Sequence, residues 1–137
     1  MTPAPRANHA VTRELAIRAA KAAMEKKGVE PVILDVSGSS SYTDYILIVS
    51  GRSDRQVSAV AEAIEDELRE AGRKPMGVEG KRDGHWALLD YGELVVHVFY
   101  HPIREHYDLE GLWVDATRVH LDIPPDSRLS AVESYGV

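Results

Sequence analysis

A chain of 137 residues has the length of one domain, and its 44% of hydrophobic residues is enough to bury a real core. It has no cysteine, which excludes disulfide staples, thiolate zinc sites and a cysteine nucleophile; it also has no apolar run near the roughly 20 residues of a membrane span and no secretory signal, so a cytoplasmic protein is predicted. The net charge of -6 is uneven, with six Lys or Arg against two Glu in residues 1–28 and ten against twenty acidic residues beyond, a balance that disfavours direct RNA or DNA binding and suits either a basic protein partner or plain solubility.

Residues 1–13, with Arg6 and Arg13 and no acid, read as a short flexible tail rather than a transit peptide. From Glu14 to Lys27 the chain is rich in Ala and straight-chain residues, follows a possible Thr12 cap and stops before Gly28, which predicts a helix. Val32–Val36 and Tyr45–Val49 are apolar runs without polar alternation, as expected of central strands covered on both faces. Between them lies a loop of Ser, Gly and Tyr. Ser53 and Gln56 form a capping-box pattern, after which Val57, Val60, Ala61, Ile64 and Leu68 recur at helical spacing until Gly72. The opposite face of this helix is charged and predicts a solvated surface.

Lys74–Val78 predicts a short strand, and a polar loop follows to His85. Trp86–Asp90 and Leu94–Tyr100 then read as two strands of a hairpin turning through Tyr91 and Gly92, with Pro102 ending the second. One or two short helices are expected in Ile103–Thr117, and residues 119–137, with Pro124 and Pro125, read as a loosely held C-terminal tail. Helices separating β runs, with a late antiparallel hairpin, predict an α/β domain with a mixed sheet flanked by helices.

Three features could carry chemistry. Gly38-Ser39 followed by Asp44 resembles the turn with which nucleotidyltransferases present Mg²⁺-binding carboxylates, but such sites need a second carboxylate two residues on, and Ile46 stands there. Asp44 is therefore expected to cap the turn into its strand. His85, His97, His101 and His106 lack the spacing of a metal site, and His97 is expected to be hydrogen-bonded and partly buried. In the hairpin, alternation sets Trp86, Leu88 and Asp90 on one face and Ala87, Leu89 and Tyr91 on the other. Trp86 there is either an interface anchor or a core aromatic.

Asp35-Val36, Thr43-Asp44-Tyr45, Gly51-Arg52-Ser53 leading into Arg55-Gln56-Val57, Glu79-Gly80, Trp86 to Gly92, Val96-His97-Val98-Phe99 and Arg104 to Trp113 together resemble the ribosomal silencing factor family, also called Iojap-like proteins. The matches run over residues 14–118. The resemblance implies a nucleotidyltransferase-like fold without the catalytic carboxylate pair, no enzymatic activity and no cofactor. It also implies binding to the large ribosomal subunit through its universal protein fourteen, a block on small-subunit association that slows translation under nutrient limitation, and a homodimer. The implied ribosomal-protein-binding residues are Trp86, Leu88, Leu89, Asp90 and Tyr91, with apolar anchoring by Trp86 and Leu88, a charge contact by Asp90 and rim packing by Tyr91.

Overall fold

A computed structural model describes residues 5–40 and 42–134, with side chains described for residues 9–40 and 42–133. In chain order the elements are α1 (Pro5–Glu25), β1 (Val29–Asp35), β2 (Tyr45–Gly51), α2 (Asp54–Glu70), β3 (Gly77–Glu79), β4 (Trp86–Asp90), β5 (Leu94–Tyr100) and α3 (His101–Tyr107). A 3-10 turn (Leu109–Trp113), β6 (Thr117–Val119), a second 3-10 turn (Pro125–Ser127) and α4 (Ala131–Ser134) complete it. The strands make one six-stranded mixed sheet in the order β3-β4-β5-β2-β1-β6, with β2 and β5 parallel and the other neighbours antiparallel. This is the mixed α/β sheet flanked by helices that the pattern of elements predicts. Strands β1 and β2 are interior, as their unbroken apolar runs require.

Two helices cover one sheet face. On α2, Val57, Val60, Ala61, Ile64 and Leu68 are all fully buried, and Ser53 Oγ accepts from Gln56 N at 3.1 Å, as the capping and periodicity signals predict. On α1 the inner face is Ala16, Ala19, Ala20 and Ala23, each 0% exposed. Small side chains there let α1 lie close to the sheet and to α2, where Arg18 pairs with Glu67 at 2.6 Å.

Helix α1 begins at Pro5, a residue suited to the first helical position, so residues 5–13 form its first turns rather than a tail. Thr12 is buried within the helix instead of capping it. Residues 1–4 lie outside the described residues. The end of α1 uses the left-handed conformation at Lys27 (φ 69°), and Gly28 N then donates to Ala23 O at 2.8 Å.

Strand β1 starts three residues earlier than expected because Pro31 is accommodated by an irregularity in register between Val29 and Val32, where Glu30 has φ 51°. That kink has a long-range consequence. Glu30 Oε1 pairs with Arg128 at 3.0 Å and Oε2 accepts from Leu129 N at 2.8 Å, while Arg52 bonds Glu133 at 2.7 Å. The segment expected as a loose tail is thus strapped across the end of the sheet as far as Glu133, and β6 adds an edge strand to β1.

Candidate functional site

The second face of the sheet is only half covered. Helix α3 and the 3-10 turn after it bring Ile103, Leu109 and Trp113 onto Leu34, Ile46, Ile48 and Phe99. This cover lies over β1, β2 and the Phe99 end of β5, and toward β4 Trp86, Leu88, Asp90 and His97 remain half-buried. Alternation along β4 settles the orientation left open by sequence. Ala87, Leu89 and Tyr91 turn toward α1 and α2 and are 0%, 0% and 3% exposed, while Trp86, Leu88 and Asp90 share the partly open face.

The docking set implied by the family resemblance therefore divides. Leu89 and Tyr91 are core residues and cannot offer a partner contact area; the strand's period of two places them on the wrong side. Tyr91 does not pack at a rim. Its hydroxyl is buried with no hydrogen-bond partner among the described residues, and burial pushes its pKa up to about 12.

Trp86 is held by aromatic neighbours on two elements, β5 and α3. Its ring centroid lies 4.7 Å from Phe99 on β5, 5.0 Å from Tyr107 at the end of α3 and 5.9 Å from His97. Its Nε1–H donates to His97 Nδ1 at 3.0 Å, which fixes the imidazole as the neutral Nε2–H tautomer. His97 is thus the hydrogen-bonded, partly buried histidine expected from sequence. Cross-strand pairing sets Leu88 beside His97 and Asp90 beside Val95, and on the other side Glu79 of β3 flanks Leu88. Asp90 Oδ1 accepts from Gly92 N at 2.8 Å, so this carboxylate closes the hairpin turn, while its other oxygen has no ion-pair or hydrogen-bond partner among the described residues.

Burial lowers the His97 pKa from 6.5 to about 4. Because the folded value lies below the unfolded one, the unfolded chain binds the extra proton between these limits. Stability from this group is complete above about pH 6.5 and is lost as pH falls toward 4, by at most about 3 kcal/mol. Urea midpoints are expected to fall between pH 7 and pH 4.5, and less so in His97→Gln; an equal drop in both chains would refute the assignment.

The other chemical candidates take separate places. Asp35, not Asp44, holds the turn after β1, accepting at Oδ1 from Ser37 N at 3.1 Å and Ser37 Oγ at 2.7 Å. Asp44 instead faces His9 of α1, 4.0 Å away, and His9 also meets Asp35 at 3.3 Å and the Tyr45 hydroxyl at 2.7 Å. Sequence reasoning misses this contact because His9 falls in the segment expected as a tail. Ile46 is a buried core residue. His101 bonds Ser50 Oγ at 2.8 Å, His85 and His106 are exposed, and no three His, Asp or Glu side chains converge with metal-site geometry among the described residues.

Fold and site together define an α/β domain with one sheet face covered by helices and the other left half open around an aromatic strand. The sequence profile of the family described as ribosomal silencing factor during starvation matches residues 9–134. Over 107 residues the chain is 42% identical to ribosomal silencing factor RsfS of Bacillus subtilis, spanning 77% of this chain and 91% of that one. It is 32% identical over 84 residues to the Mus musculus mitochondrial assembly of ribosomal large subunit protein 1, spanning 59% of this chain and 37% of that protein. A crystal structure of a Chromobacterium violaceum protein, 32% identical, superposes with a TM-score of 0.73 over 90% of this chain and 97% of that chain. The chain belongs to the ribosomal silencing factor family, a regulatory family with a ribosome-associated role in silencing translation.

Proposed function

We propose that this protein binds the large ribosomal subunit through its universal protein fourteen, using the Trp86–Leu88–Asp90 face, and so keeps the small subunit from joining. The observation that carries this reading is the orientation of β4, which turns an aromatic, an aliphatic and an acidic side chain to the same half-open surface. An aromatic anchor beside a charge is a common composition of a protein-docking hot spot. The acidic balance of residues 29–137 favours a basic partner and opposes direct contact with RNA phosphates. The mechanism is steric occupation of the surface that the small subunit needs, and it requires no cofactor. It would act under nutrient limitation in the cytoplasm. The homodimer implied by the resemblance is part of the same proposal.

Asp90 provides the sharpest test because its two roles separate. Asp90→Asn keeps an oxygen for Gly92 N but removes the charge, and is expected to weaken binding to purified ribosomal protein fourteen about tenfold; Asp90→Arg adds repulsion and should weaken it roughly 100-fold or more. Calorimetric titrations in which both variants bind like the parent, with unchanged melting curves, would move the interface away from β4.

A further inference from the structure

We infer that the docking surface continues past Trp86 onto the turn after α3, where Leu112 and Val114 form a second apolar contact for the same basic protein partner. This rests on the function proposed above and adds residues to it. The 3-10 turn lies against the second sheet face, since Leu109 and Trp113 pack on the cluster of Leu34, Ile46 and Phe99. With those side chains directed inward, the intervening and following ones point outward. Leu112 is 73% and Val114 80% exposed. Single exposed aliphatics are ordinary on a protein surface. Here, however, they follow closely in the chain on Tyr107, itself 56% exposed and stacked on Trp86 at 5.0 Å, and on Asp108, whose left-handed backbone (φ 46°) starts the turn that carries this ledge. Adjacent apolar groups rimmed by charge mark a contact surface.

Charge selects the occupant. Glu105, Asp108 and Asp115 are exposed around the ledge, and among the described residues neither Asp108 nor Asp115 makes an ion pair. Among the described residues Glu105 pairs only with His101, at 3.8 Å. Such a rim repels nucleic acid and anionic lipid, and a second copy of this chain would bring the same carboxylates against their like. A basic protein surface with apolar side chains satisfies both the ledge and its rim.

The test is capture of purified large ribosomal subunits by the full chain, with Leu112→Ser, Val114→Ser and Asp108→Lys/Asp115→Lys compared with Trp86→Ala. Both serine changes fall on exposed side chains and are expected to leave the melting curve unaltered. Each is expected to weaken capture about tenfold with little change in its salt dependence, whereas the charge reversal should weaken it most at low salt. Undiminished capture by the serine variants, with Trp86→Ala defective, would overturn this inference alone. Failure of the parent chain to bind subunits would overturn the proposed function itself. If Val114→Ser abolishes self-association measured by light scattering but leaves subunit capture intact, the ledge is a contact between copies and the inference is wrong.

Discussion

Trp86→Ala is expected to abolish useful affinity for the large subunit, lowering it by about 100-fold or more, the range of a buried aromatic hot spot. The indole is the largest side chain among Trp86, Leu88, Asp90 and His97, and its position is set by contacts with β5 and α3. Truncation also affects the free protein. It leaves His97 Nδ1 without its donor and Phe99 and Tyr107 without their shared neighbour, at a stability cost of about 1–3 kcal/mol. Trp86→Phe separates the two effects, because it keeps aromatic packing while removing the Nε1–H. It should fold nearly as well as the parent and lose part of the affinity. Thermal melts run beside calorimetric titrations check this; full affinity in a folded Trp86→Ala protein would contradict the assigned anchor.

Gly80→Ala is the second change with a large expected effect, and it acts on the scaffold. Gly80 has φ 74°, and a Cβ built there would lie 2.0 Å from the carbonyl oxygen of Trp86. Backbone at both ends of that contact leaves nothing flexible to yield, so the β3–β4 connection must open. The expected loss is on the order of 3 kcal/mol, with the docking strand displaced at its first residue. Gly77→Ala is the control, since nothing lies within 4 Å of its added Cβ. Chemical denaturation should place Gly77→Ala near the parent and Gly80→Ala far below it. Equal midpoints for the two variants would disprove the account of the turn.

Elements with local signatures are legible in the amino-acid sequence itself. The Ser53 cap and five-residue apolar stripe define α2, and the Tyr91–Gly92 turn defines the hairpin with strands Trp86–Asp90 and Leu94–Tyr100. Features made by distant partners carry no such signature. Glu30 and Arg128 are 98 residues apart, so no local pattern announces that the C-terminal segment is tied down. The same holds for His9, whose partners on β1 and β2 arise only when α1 crosses the sheet. Strand β3 runs Gly77–Glu79, later than the expected Lys74–Val78, because a three-residue edge strand carries little periodicity. For the site, alternation gives two faces but no direction. Only the packing of Leu89 and Tyr91 under α1 and α2 shows which one is core, leaving Trp86, Leu88 and Asp90 as the part that a partner can reach.

The proposed action is steric, so occupancy and silencing would be the same event. A basic ribosomal protein docked on the open half of the sheet would place the whole α/β body over the surface used for subunit joining. The most direct measurement is sedimentation of purified large and small subunits mixed under joining conditions with saturating amounts of this protein. The account predicts separate subunit peaks, with the protein travelling only with the large one, and restored joining when Trp86→Ala replaces the parent chain. A full peak of joined ribosomes in the presence of saturating parent protein would contradict it.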